Sequence, residues 1–461
     1  MTIGLERPRP AIVRDHPKAG WFAVGAVCFG AFMGQLDASI VTLAFPALQH
    51  EYGEPLAAVQ WVSLSYLLAL VGLLAAVGRI ADAVGRKLTY VYGFGVFTVA
   101  SIACGLAPSL GWLIGFRVVQ AIGAAMLQAN SVALVVRSVR EDRIRAALGV
   151  QAAAQALGLA LGPAVGGLLV GTVGWRWVFL VNAPVGLAGL IAGRYLLPRT
   201  RERTPLGRFD GAGVALLATA STAVLLTISG VSGLAVPGWL PAVLAGTAVA
   251  AAIGFVLREN SASSPLLRLS VLRPPVVSLG LAGALCGYLV LFGPLTLLPQ
   301  VLGTAAGGTG LVLTCLPAGF AVAALLADRV LPAGFGARGR TVAGALVAAA
   351  GCAGLGLVSA EWEVGVSLVV AGLGLGVFIP ANNSAVMGAI PARMSATGGG
   401  LVNMARGLGT ALGVALVTLC LHTAGETAAI AVLAAAAVAA AATGFAARPG
   451  AGLAARSEAA Q

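Results

Sequence analysis

Gly78-Arg79-Ile80-Ala81-Asp82-Ala83-Val84-Gly85-Arg86-Lys87 is a charged stretch between two runs without charge, Leu56 to Val77 before it and Leu88 to Ala107 after it. Each run has about the 20 residues that a helix needs to cross a hydrocarbon core of about 30 Å. In lipid a backbone must satisfy its own hydrogen bonds, so both runs are predicted to be helices. Gly78 and Gly85 permit a tight turn between them. Asp82 is an anion able to face the N-terminus of a neighbouring helix. Arg86 and Lys87 hold the link on one side of the membrane.

The rest of the chain repeats this pattern. Of its 461 residues, 59% are hydrophobic and only 10% are charged. A soluble domain carries about 25% charged residues, so water is not the main solvent here. Fourteen apolar segments are predicted. Six lie near 20–47, 56–77, 88–107, 111–136, 144–171 and 177–197, and two near 212–230 and 238–257. The last six lie near 276–298, 309–331, 341–359, 363–390, 397–421 and 426–446. The first is too long for a signal-peptide core and no small-residue cleavage site follows it, so it is expected to be retained. The longest polar stretches, 198–211 and 258–275, bracket the seventh and eighth segments. The expected organisation is a tail over 1–19, a six-helix bundle over 20–197 and a linker with helices 7 and 8 over 198–275. A second six-helix bundle follows over 276–446, then a tail over 447–461.

Orientation follows from Lys and Arg. The N-terminal tail carries Arg7, Arg9, Arg14 and Lys18. If that tail is cytoplasmic, so is every even-to-odd connection, and all but three of the 28 basic residues fall on that side. The exceptions are Arg176 on the opposite face and Arg117 and Arg406 within helices, while Glu51, Glu54, Glu361, Glu363 and Glu426 lie outside. Both termini are therefore predicted to be cytoplasmic. The Ala and Gly richness, with only Lys18 and Lys87 as lysines, suits a GC-rich bacterial genome and hence a bacterial plasma membrane.

Several chemistries have no support. The net charge of +12 is spread along loops and reads as orientation, not as a nucleic-acid surface. Cys28, Cys104, Cys286, Cys315, Cys352 and Cys420 all fall in apolar blocks without metal or redox spacing. No phosphate loop exists, so ATP is not the expected driver, and Gly372-Leu-Gly374-Leu-Gly376 sits mid-helix, not after a strand. No metal and no cofactor are expected.

The loop built on Gly78, Asp82, Gly85, Arg86 and Lys87 resembles the signature of the major facilitator superfamily, with Ala83 where a basic residue is usual. Further stretches resemble its fourteen-helix drug–proton antiporters. Leu36-Asp37-Ala-Ser39-Ile-Val-Thr42-Leu-Ala44-Phe-Pro46 is similar to their helix 1 motif, with Ala38 and Thr42 as departures. Arg117-Val-Val-Gln120-Ala-Ile-Gly123 is similar to the helix 4 motif. Gly158-Leu-Ala-Leu-Gly162-Pro163-Ala-Val-Gly166-Gly167 resembles the motif associated with exporters, and Pro163 favours a kink. Trp175 to Pro184 resembles the start of helix 6, with Trp175 and Trp177 read as interface anchors. Asn403-Met-Ala-Arg406-Gly-Leu-Gly409 resembles the helix 13 pattern.

The resemblance implies an all-α integral membrane protein of the major facilitator fold: two six-helix bundles plus two linker helices. It also implies proton-coupled antiport of a drug, antibiotic or secondary metabolite, driven by the proton gradient without a cofactor. The expected partners are a small molecule, protons and lipid, with the monomer as the working unit. Asp37 is the only acidic residue well inside an apolar segment. With Arg117 it is the expected proton-coupling pair, since arginine cannot itself give up a proton. Asp82 is expected to face helix 13 around Ser395 to Thr397, with Arg86 near Glu141 or Asp142. Gln120, Asn403 and Arg406 are candidates for a substrate cavity. Two other classes stay open at this point: a proton symporter for a nutrient, and a non-transporting receptor or membrane-embedded enzyme. The first would take up label, and the second would carry a clustered catalytic set or a sizeable soluble domain.

Overall fold

A computed structural model describes residues 9–140, 143–200, 210–262, 269–302, 306–332, 335–358, 360–390 and 395–447, with helices and no strand among them. Glu141 and Asp142 lie outside the described residues, as do the side chains of Ser395 to Thr397. The first bundle has α1 (Ala19–Tyr52), α2 (Trp61–Val84), α3 (Arg86–Gly105), α4 (Leu110–Ser138), α5 (Ile144–Thr172) and α6 (Arg176–Leu196). The linker holds α7 (Gly211–Val231) and α8 (Leu240–Ser261). The second bundle has α9 (Pro275–Val301), α10 (Ala306–Val330), α11 (Ala337–Leu355), α12 (Glu361–Ala389), α13 (Ser395–Thr423) and α14 (Glu426–Ala446).

Thirteen of these helices are long and apolar enough to cross a membrane. The remaining one, α11, has 19 residues and packs against α12 and α14. Its first turn carries Arg338 and Arg340, and these two charges lower its hydropathy. Helix α1 is longer than its apolar pattern suggests. It passes through a 3-10 turn at Val41–Ala44 and continues as Phe45–Tyr52. Pro46, which has no N–H to give to the preceding turn, sits just after that change of winding.

Packing repeats between the two halves. The pairs α1·α5, α2·α4, α3·α4 and α3·α6 recur as α9·α13, α10·α12, α11·α12 and α11·α14. Across the seam, α5 packs on α10 and α2 on α13, a pairing that is itself two-fold. This is the contact pattern of an internal duplication. The linker pair lies at one seam, with α7 against both α2 and α13. There Ser229 Oγ accepts from Gln60 Nε2 at 3.0 Å and Trp61 Nε1 at 3.1 Å.

The opening stretch of the sequence forms a shorter turn than expected. Helix α2 continues through Gly78 and Asp82 to Val84, and α3 starts at Arg86. Gly85 alone makes the turn, at φ +129, where a side chain would be strained. Gly78 is helical and takes no part in the turn; a Cβ there would meet only Ala129 Cβ at 3.9 Å.

Candidate functional site

Asp37 and Arg117 meet in the middle of the first bundle, 0% and 1% exposed. Arg117 Nη1 donates to Asp37 Oδ2 at 2.7 Å. The other carboxylate oxygen, Oδ1, accepts from Gln120 Nε2 and Asn182 Nδ2, each at 3.0 Å. Arg117 and Gln120 reach it together because they lie one turn apart on α4, and Asn182 enters from α6. A buried carboxylate is costly unless its lone pairs are filled, and here three donors fill them.

Arg117 has further partners. Its Nε donates to the carbonyl of Val62 at 2.9 Å, and its Nη1 also reaches Gln120 Oε1. The guanidinium lies over the Tyr66 ring, 4.1 Å from its centre. Gln120 Nε2 also donates to Ser101 Oγ at 2.7 Å, which ties α3 into the cluster. Five helices, α1, α2, α3, α4 and α6, thus converge on one ion pair. Removing the cation from such a pair typically costs about 3–5 kcal/mol, because it leaves the carboxylate charge buried and alone.

A cavity of about 800 Å³, counted with its mouth, lies between the bundles. Gln35, Tyr66, Phe97, Gln128 and Gln155 line it from the first half, and Phe292, Asn403, Arg406 and Thr410 from the second. On α1 its lining runs from Ala38 back to Gly30, and on α2 from Tyr66 on to Leu74. Both runs lead toward the N-terminal tail, so the cavity extends from the level of Asp37 to the tail side. A smaller void lined by Thr42, Ser63, Tyr66, Arg117, Phe292 and Thr410 joins it at the Asp37 level. Ser63 Oγ there is buried without a hydrogen-bond partner.

Asn403 and Arg406 line the cavity as expected candidates. Gln120 does not; it is wholly buried in the Asp37 cluster, because its face of α4 turns toward α1 and α3. Sequence reasoning gave no role to Asn182, although it stands in the quoted stretch before Pro184.

The exporter-type motif on α5 serves two contacts. A Cβ on Gly158 would meet Phe32 O at 2.4 Å, and one on Gly166 would meet Ile40 Cγ1 at 2.8 Å. Gly162 lies against Ser39. That face packs α5 onto α1. Pro163 and Gly167 face the other bundle, where a Cβ on Gly310 would meet Pro163 O at 2.5 Å and Gly167 Cα at 2.8 Å. The motif therefore forms a close backbone seam with α10 on the side opposite the cavity mouth.

In the turn after α2, Asp82 Oδ1 pairs with Arg86 Nη2 at 2.5 Å. Lys87 is buried and its Nζ donates to Leu197 O at 2.8 Å, beyond the end of α6. Lys87 therefore acts as a cap on a helix C-terminus. At the far side, Trp175 is buried and donates to Glu51, which also pairs with Arg176 at 2.7 Å. Trp177 is exposed, as an interface anchor would be, but Trp175 is not.

The sequence profile described as Major Facilitator Superfamily matches residues 27–414. The chain is 33% identical over 371 residues to the tetracenomycin C resistance and export protein of Streptomyces glaucescens, covering 78% of this chain and 68% of that protein. It is 34% identical over 276 residues to an uncharacterized MFS-type transporter of Mycobacterium tuberculosis, covering 59% of this chain and 46% of that one. The match thus spans about half the length of the second relative. Among solved structures, a peptide transporter POT in complex with sulfate superposes with a TM-score of 0.68 at 18% identity, covering 96% of each chain. The inward-open xylose transporter of E. coli gives 0.65 at 13% identity, covering 92% of this chain and 95% of that one. These two likenesses show the shared fold. With the profile matched from α1 to α13 and two duplicated bundles around a common cavity, this chain belongs to the Major Facilitator Superfamily.

Proposed function

We propose that this protein exports a drug, antibiotic or secondary metabolite across the bacterial plasma membrane in exchange for protons. It works as a monomer with both termini in the cytoplasm and needs no cofactor beyond the proton gradient. The carrying observation is the Asp37–Arg117 pair, enclosed by donors at the closed end of an inter-bundle cavity. The export activity in the name of the Streptomyces relative supports the same reading.

The mechanism follows from the partners of each group. A proton on Asp37 removes the negative charge that holds Arg117. Arg117 then keeps the Val62 carbonyl, the Gln120 oxygen and the Tyr66 face, so it is not stranded. The pair can therefore separate without leaving an unsolvated cation. Loss of its ties loosens α1 from α4 and α6, and α1 is the helix on which the α5 motif packs. The bundles rock about the α5·α10 and α2·α13 seams, exposing the cavity to each side in turn. Asp82, Gly85, Arg86 and Lys87 form the switch at the α2–α3 turn, while Gly158, Gly162 and Gly166 hold α5 on α1 and Pro163 and Gly167 seal the outer half against Gly310.

The test is drug-susceptibility profiling of cells expressing the protein, beside an empty vector and an Asp37→Asn variant. Raised tolerance that the variant loses is expected. Uptake of a labelled nutrient with no change in tolerance would replace export by symport.

A further inference from the structure

We infer that the cavity selects planar aromatic anions, and that Arg406 on α13 is the group that holds their acidic end. This rests on the reading of the cavity as the place of the transported molecule. Arg406 is the one charged side chain among the described residues that line the larger cavity, and the adjoining void reaches only Arg117, whose charge Asp37 already answers. It is half-buried, and no described carboxylate pairs with it. The ring centre of Tyr288 lies 5.9 Å from its guanidinium carbon.

Asp37 does not supply the missing charge. Its oxygens are filled by three donors, and it does not line the cavity. A bound molecule that displaces water from Arg406 must replace that hydration, and a carboxylate or sulfonate does so with a fork-shaped, charge-assisted contact, a phenolate with a single oxygen. A cationic molecule would meet a like charge with no acid to offset it. Around this one cation the walls are apolar and aromatic, with Phe97 and Phe292 beside the amides of Gln35 and Gln128. Flat rings suit the first and neutral polar substituents the second.

Because Asp37 is not a cavity group, proton and substrate do not compete for one carboxylate. Charge selection and proton coupling are then separable by mutation. Arg406→Gln should change which molecules bind, and Asp37→Asn should change whether binding is coupled to protons.

The experiment uses full-length protein in nanodiscs and two xanthene dyes of opposite charge, fluorescein and a cationic rhodamine, with binding read by fluorescence anisotropy. Fluorescein should bind more tightly than rhodamine. Arg406→Gln should weaken fluorescein by roughly tenfold or more, the loss of one charge-assisted hydrogen bond, and should leave rhodamine no weaker, since the like charge that disfavours it is removed. Arg406→Lys should recover part of the fluorescein binding, which a merely misfolded site would not do. Tighter rhodamine binding, absence of fluorescein binding, or an unaltered fluorescein affinity in Arg406→Gln would each overturn the assignment. Efflux of cationic compounds from expressing cells would sink the anion assignment while leaving export intact. Absence of efflux for compounds of every charge, with the dye result as expected, would sink export and leave the binding assignment standing.

Discussion

The ammonium of Lys87, in the first turn of α3, sits 2.8 Å from the carbonyl oxygen of Leu197, just past the end of α6. The second half contains its counterpart. Arg338, in the first turn of α11, donates to the carbonyl of Phe445 in the last turn of α14 at 2.6 Å. By the duplication, α11 and α14 stand where α3 and α6 stand. A cation closes the same pair of helices in each bundle, and each fills a carbonyl that helix geometry leaves open. Lys87→Met should therefore destabilise the first bundle by about 1.5–3 kcal/mol, the range for hydrogen bonds to charged groups. Thermal unfolding of purified protein should shift down measurably. An unshifted transition would show that water replaces the ammonium without loss.

Asp82 should behave differently. Its pair with Arg86 is partly exposed, and such pairs contribute about 1 kcal/mol or less. Asp82→Asn should leave membrane levels and the unfolding temperature close to wild type, yet cut transport. Efflux at the wild-type rate would remove Asp82 from the switch.

Asp37→Asn should abolish efflux against a gradient and substrate-induced proton release, while substrate binding stays measurable. Asparagine has the size of aspartate but lacks its charge, so Gln120 and Asn182 can still approach one oxygen. Arg117→Ala should be harsher, because it leaves Asp37 buried without its counter-charge, at a cost of about 3–5 kcal/mol. Low levels of folded protein are expected for Arg117→Ala and normal levels for Asp37→Asn. Proton-driven efflux at the wild-type rate in Asp37→Asn would reduce the pair to a structural one.

Topology can be read with reporters. Fusions after residues 53, 235 and 425 should report the outside, because each follows an outward-running helix in the fourteen-helix arrangement. A cytoplasmic signal at any of these positions would break the helix count.

Much of this was legible in the sequence, for identifiable reasons. A lone acid in an apolar run has few fates in lipid, so Asp37 stood out. The fold was legible because runs of about 20 apolar residues leave few alternatives. Helix rotation was not legible. Membrane helices are apolar on all sides, so periodicity does not say which face meets a cavity. Gln120 was for that reason expected at the substrate and lies instead in the Asp37 cluster. Asn182 gave no charge or spacing signal at all. The extent of α2 was misjudged because one glycine, Gly85, suffices for a turn that the charges suggested was longer.

Arg117, Gln120 and Asn182, which hold the Asp37 carboxylate, and Val62, whose carbonyl holds Arg117, all belong to the first bundle. Arg406 belongs to the second. The two halves descend from one pattern, and under the proposed function they divide the labour: the first would gauge protons and the second would supply the charge that holds cargo. The two halves come close at Gly310, which packs on the backbone of Pro163 and Gly167, and at Gly407, which packs on the Val71 side chain. Under that proposal, the preferred charge of the cargo changes through Arg406 in the second half, with the proton-binding pair in the first left untouched.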